Sequence, residues 1–235
     1  MITLYHFSDI WELDPSPFCL KAETYFRLAK IPFEKSVSLA ALLRAPRKKL
    51  PYIIDEGKVI ADSEAIIEHI KKKYNVWLDD WLTPEQRATA HSVRRMLEDG
   101  TYWVAIFERW MEPTIWAAYK SVVLSAIPKP MRNMAGMVIR RDYKRRCYGQ
   151  GVSRYSRAEI KHIGGQDIDA VVTILAEKAY FLGNRPASVD AVVFGFLGNM
   201  YYAPLETETK KIITGHPNLT AYLDRIRSIV MSPTA

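Results

Sequence analysis

The pattern of apolar residues changes once along this chain, near Tyr74, and that change limits the folds open to it. Before it, strand-like runs alternate with segments of helical period; after it nearly every segment is helical. Ile2–Phe7 reads as a strand. Pro17–Lys30 reads as a helix, because Phe18, Ala22, Tyr25, Phe26 and Ala29 recur at i, i+4, i+7, i+8 and i+11 and make one apolar stripe. Phe33–Val37 is a second strand and Leu39–Arg47 a short irregular helix. Leu50–Asp55 and Lys58–Ala61 flank Glu56-Gly57, which reads as a hairpin turn. Asp62–Tyr74 follows as a helix with Ile66, Ile67, Ile70 and Tyr74 on one face. The order βαβαββα predicts a small sheet covered by helices over residues 1–75.

Residues 76–83 read as a linker with two tryptophans. Thr83-Pro84-Glu85-Gln86 is a helix start: Thr at the N-cap, Pro next, and Gln to close a capping box. Ser156-Arg157-Ala158-Glu159 is a second one. Residues 84–235 are predicted all-helical, with breaks at Pro113, Pro128, Pro130, Gly149, Gly151, Pro186, Pro204 and Pro217. Gly164-Gly165 interrupts the helical pattern of 157–180.

The chemistry concentrates at Ser16-Pro17-Phe18-Cys19-Leu20-Lys21. Ser16 fits as an N-cap and Pro17 as the first helical residue. The free N–H groups and positive dipole end of a helix start favour an anion, and a thiolate is one. The site therefore activates a thiol, either Cys19 or that of a bound ligand. In Lys49-Leu50-Pro51-Tyr52-Ile53, Pro51 opens a strand, where its missing N–H does least harm. A cis bond there would turn the backbone of the preceding residue toward Ser16; an ordinary trans Pro is the alternative. Asp62-Ser63-Glu64 offers a carboxylate, a hydroxyl and free N–H groups for an amino-acid end, or simply caps its helix.

The net charge of +7 includes the cluster Arg140–Arg146, which is either a solvated helix face or an anion surface. No RNP, zinc-finger or helix-turn-helix signature supports nucleic acid as a partner. The longest uncharged run, Ala191–Leu205, is shorter than the ~20 residues of a membrane span. Met1 leads straight into strand-like alternation, without the basic start of a secretory leader. Two cysteines are too few for a disulfide framework, so a reducing, cytoplasmic setting is expected. The five histidines have no metal-ligand spacing, so no metal is expected.

Taken in order, SPFCLK, KLPYI and VIADSEAII within a βαβαββα unit, followed by a helical region, resemble the glutathione transferase superfamily. The pattern is nearest to its metaxin-like and Failed-axon-connections-like branch. Gly149–Arg157 and Gly183–Asp190 carry the same resemblance. It implies a thioredoxin-like α/β domain over 1–75, an all-α domain over 84–235 and a homodimer. It also implies a glutathione site. Ser16 would face the thiol, Leu50 before a cis Pro51 would pair with the cysteinyl unit, and Asp62 and Ser63 would hold the γ-glutamyl end. Lys49 would meet the glycyl carboxylate. Asp190 is expected to be structural. Ala187 departs from the family's usual Ser or Thr, so the helix cap there should be weaker by ~1 kcal/mol unless Ser188 substitutes.

The implied activity is conjugation of glutathione to a small hydrophobic electrophile, or reduction of a disulfide or peroxide; a non-catalytic, metaxin-like interaction module is the alternative. The free thiol has a pKa near ~8.5, and lowering it by ~2 units requires ~2.7 kcal/mol of preferential thiolate stabilisation. Ser16 and the helix start can supply that scale. Cys19, one turn inside, is a packing residue or a rival thiol. The second substrate is expected between the domains, beside Tyr102, Trp103, Phe107 and Trp110, with Trp11 overhanging it. Helix packing is the alternative for those four, and a surface or dimer contact for Trp11.

Overall fold

The structure, a computed structural model, describes residues 1–37, 39–125 and 127–232, and for 39–41 the backbone alone. Strands β1 (Ile2–His6), β2 (Phe33–Val37), β3 (Tyr52–Asp55) and β4 (Lys58–Ala61) form one sheet in the order β2-β1-β3-β4. β1 and β2 are parallel, with Leu4 opposite Lys35, joined by the crossover helix α1 (Pro17–Leu28). β3 runs antiparallel to both neighbours, with Ile53 opposite Leu4 and Ile60. α2 (Leu39–Arg44) is shorter than the reading over 39–47, and α3 (Ser63–Tyr74) closes the unit.

Side-chain alternation along β1 sorts the two faces of the sheet. Ile2, Leu4 and Ile53 pack with Ala22, Tyr25, Phe26, Ile66 and Ile70 of α1 and α3. Tyr5 and Tyr52 stack on the opposite face, 4.4 Å apart. Tyr52 belongs to a small cluster there with Cys19, Ala45 and Leu50.

From Pro84 onward the regular elements among the described residues are helical. α4 (Pro84–Arg95) runs through a π-helical segment, Met96–Thr101, into α5 (Tyr102–Met111). α6 (Pro113–Val123), α7 (Lys129–Gln150) and α8 (Arg157–Leu175) follow. α9 (Ser188–Val193) continues through a second π-helical segment, Phe194–Gly198, into α10 (Asn199–Tyr202). α11 (Glu208–Thr214) and α12 (Pro217–Met231) complete the chain. Gly195 is the close contact between the halves: a Cβ there would lie 2.8 Å from Lys21 Cβ and 2.9 Å from its backbone. Lys21, fully buried in α1, is 2.6 Å from both Glu64 of α3 and Glu98 of the π-helical segment.

Two local expectations need correction. Gly164-Gly165 does not break α8. A Cβ at Gly164 would meet Val104 Cγ1 at 3.0 Å, so the glycine lets α8 pack closely on α5. The missing side-chain cap at Ala187 is replaced from far away in sequence rather than by Ser188 alone. Asp79 accepts the Ser188 N–H at 2.7 Å and its hydroxyl at 2.6 Å. Asp190, fully buried, accepts from the N–H groups of Phe181 and Ala187 and from the Tyr222 hydroxyl.

Candidate functional site

Ser16 caps α1 in extended backbone geometry, and its Oγ accepts the Cys19 N–H at 3.4 Å. One hydroxyl carries two acceptor pairs and one proton, so its O–H remains a donor toward the helix start. Leu50-Pro51 is cis, and the Pro51 carbonyl accepts the Asp62 N–H at 3.3 Å. Asp62 caps α3 with φ 88° and ψ 132°, a backbone region that costs a non-glycine residue ~1–3 kcal/mol. Its carboxylate accepts the Glu64 N–H at 3.2 Å, and its exposed side reaches Arg47 at 3.4 Å. Ser63 is buried beside it, and Lys49 is exposed.

Cys19 is 1% exposed. Burial, reinforced by the nearby Asp14 carboxylate, pushes its thiol well above the usual range. That corrects the reading of Cys19 as a rival catalytic thiol: a buried group held protonated is a poor nucleophile.

The residue that organises this end of α1 is Asp14, which the sequence reading passed over. Its carboxylate accepts the Ser16 N–H at 2.7 Å and the Phe7 N–H at 3.0 Å, and lies 3.0 Å from His6 Nδ1. It is fully buried, and burial lifts its pKa to about 6 against the hydrogen bonds that lower it. The i, i+2 carboxylate-to-N–H bond is an Asx turn, so Asp14-Pro15-Ser16 did carry a local signal. Upstream, Trp11 and Glu12 both have positive φ, 52° and 66°, and reverse the chain between Ile10 and Leu13. His6, Asp9 and Asp14 bring possible ligand atoms within 4.8 Å of one another, a grouping the sequence spacing did not reveal. Lys35 Nζ sits 2.9 Å from Asp9, and Asp14 already accepts the Phe7 and Ser16 N–H groups beside its His6 contact, while His6 Nε2 is buried with no partner among the described residues.

Of the residues expected around a second substrate, Phe107, Trp103 and Tyr102 are half-buried. Tyr102 meets Phe18 of α1 edge-on at 5.2 Å, at the junction of the two halves. Trp110 does not join them. It is 4% exposed and stacks on Trp116 at 5.1 Å and Tyr143 at 4.0 Å, so it is a core residue of the helical half. Trp11 packs on Tyr119 and Arg109 of that half instead of overhanging the helix start. A separate cleft of about 240 Å³ opens beside Glu64, between α3, α4 and α9; none of the expected second-substrate residues lines it. In the basic cluster, Arg140 caps the carbonyls of Trp110 and Met111, and Asp142 pairs with Arg145 and Arg146.

Residues 17–115 match the family described as Glutathione S-transferase N-terminal domain, and residues 164–226 the one described as Glutathione S-transferase, C-terminal domain. The isoprene-epoxide–glutathione S-transferase of Rhodococcus sp. (strain AD45) is 33% identical over 97% of this chain and 98% of its own length. This chain belongs to the glutathione transferase family. Within that family, Failed axon connections of Drosophila melanogaster is 30% identical over 97% of this chain and 57% of its own length. The crystal structure of a glutathione transferase from Phanerochaete chrysosporium superposes with a TM-score of 0.68, covering 99% of this chain and 98% of that one at 14% identity, and shows the shared fold. The small mixed sheet and the helical half are thus those of a glutathione transferase.

Proposed function

We propose that this glutathione transferase binds glutathione with its sulfur at Ser16 and activates the thiol. The observation that carries this reading is Ser16: Asp14 holds its backbone N–H at the start of α1 and its hydroxyl keeps a proton to donate, while the neighbouring Cys19 is a buried, protonated thiol. The thiolate then attacks an electrophilic carbon, breaking its C–O or C–halogen bond to release alkoxide or halide, or attacks a disulfide or peroxide, breaking the S–S or O–O bond to release thiolate, alkoxide or hydroxide. Asp62 and Ser63 take the γ-glutamyl end, the Leu50 backbone pairs with the cysteinyl unit, and Lys49 meets the glycyl carboxylate. Half-buried Phe18, Tyr102, Trp103 and Phe107 form the apolar side toward the second substrate. The relative named for isoprene epoxide, matched nearly end to end, supports conjugation to a small electrophile over the other reactions. A homodimer in the cytoplasm is part of the same reading. No helix among the described residues is long and apolar enough to cross a membrane.

Calorimetry with glutathione at millimolar concentration, followed by a panel of epoxides, alkyl halides and disulfides, tests it. Binding is expected, with at least a tenfold loss of turnover in Ser16→Ala. Absence of binding rejects the reading and leaves a non-catalytic interaction module.

A further inference from the structure

The backbone that presents Ser16 is fastened residue by residue, and two of the three fastenings come from the helical half. Arg109 of α5 donates through one terminal nitrogen to the Pro15 carbonyl at 3.4 Å and through the other to the Asn199 carbonyl at 3.0 Å. Asn199 donates from Nδ2 to the Asp14 carbonyl at 2.7 Å. The Asp14 carboxylate holds the Ser16 N–H itself. Arg109 is 4% exposed and Asn199 1%.

Arg109 differs from the other buried cation at the junction. Lys21 has two carboxylates at 2.6 Å. Arg109 donates to two backbone carbonyls, and among the described residues no carboxylate lies within the 4.0 Å of an ion pair. The rings of Trp11 and Tyr119 flank its guanidinium at 6.0 and 5.9 Å. Among the described residues no titratable group around it is in ion-pair contact with it. Burial keeps the Tyr102, Tyr119 and Tyr143 hydroxyls protonated. Glu108, raised by burial although the Thr209 hydrogen bonds and the Arg109 charge lower it, accepts the Thr209 N–H and forms no ion pair with Arg109. Asp14 and His6 are bound to each other and to the loop. Burying a charge without a counter-ion is costly, and its field carries further than it would in water.

We propose that Arg109 is the electrostatic partner of the glutathione thiolate, and that Arg109 and Asn199 are positioning residues through which the helical half holds Ser16 in place. This rests on the glutathione reading given above. The thiol loses its proton to solvent, and Arg109, with no carboxylate in ion-pair contact, attracts the sulfur anion against the repulsion of the Asp14 carboxylate. The Ser16 hydroxyl gives direction, and Arg109 adds the long-range term.

Titrating bound glutathione by its ultraviolet thiolate absorbance tests the charge. Arg109→Gln keeps hydrogen-bond donors and removes the charge; Arg109→Lys keeps the charge and loses the fork. The Gln variant is expected to raise the thiol midpoint by about one unit, a tenfold loss of thiolate below both midpoints. The Lys variant should stay close to wild type. Asn199→Ala should lower turnover without moving the midpoint. If both Arg109 variants titrate like wild type while glutathione remains bound, the charge assignment is wrong; if Asn199→Ala turns over normally, the positioning role is wrong. Ser16→Cys gives a second readout that needs neither ligand nor a foldable Gln variant. The alkylation pH profile of its new thiol should have a midpoint below the usual ~8.5, and one at or above it overturns the inference. Wild type that binds no glutathione, together with a depressed thiol in Ser16→Cys, would reject the glutathione reading while retaining the buried field.

Discussion

Asp14→Asn should stabilise the fold near neutral pH while weakening the site. Burial opposes the charge of the Asp14 carboxyl and lifts it from the ordinary 3.8 to about 6. An acid whose folded pKa is raised contributes most below its unfolded pKa, and loses that contribution as pH rises through the folded one. From below 3.8 to above 6 the loss is about 3 kcal/mol at 1.36 kcal/mol per unit. An Asn is neutral at every pH and avoids that loss. Its NH₂ group cannot accept, so one of the N–H groups of Ser16 and Phe7 loses its acceptor. Ser16 is half-buried and its N–H can turn to water, so about 1 kcal/mol is appropriate. The net expectation is a gain of about 2 kcal/mol near pH 7, shrinking to about zero near pH 4. Urea unfolding of both proteins at the two pH values measures it. Turnover should fall in the variant, because the Ser16 backbone has lost its anchor. A gain equal at both pH values would refute the reasoning, as would a loss above about 1 kcal/mol near neutrality.

Other consequences are as direct. Cys19 and Cys147 are both buried and their thiols raised, Cys147 to about 11, so iodoacetamide should label neither in the native protein and both after unfolding. Rapid native labelling of Cys19 would revive it as a reactive thiol. Asp79→Ala removes the acceptor for the Ser188 N–H, and should cost about 1–2 kcal/mol of unfolding free energy, read as a lower urea midpoint. An unchanged midpoint would mean that water caps α9 equally well.

How much of this was legible beforehand differs by element. The apolar stripe of α1 was readable because Ala22, Tyr25 and Phe26 lie within two turns of one another and bury together. The caps at Thr83 and Ser156 were readable for the same reason, since each closes onto a residue three positions on. Pro51, Asp62 and Ser63 stood out by residue type, and the expectation that they share a site with Ser16 came from the resemblance in their order. Tyr102 and Trp110 could not be separated: they sit eight residues apart on one run of helix, and only the neighbours of each decide between junction and core.

The sequence alone determined the βαβαββα unit, the helical half after it and the start of α1, because periodicity and capping are written within a turn or two of chain. Tertiary structure decided how accessible the two candidates at that helix start are, Ser16 half-buried and Cys19 buried. Ser16 keeps a proton at the helix start and Cys19 is buried under it. It also brought Arg109 and Asn199 to the loop at residues 14–16, across sequence separations of 94 and 185. No local pattern encodes such a contact: it exists only once Gly195 lets the two halves close on each other, and burial then sets what each charge does.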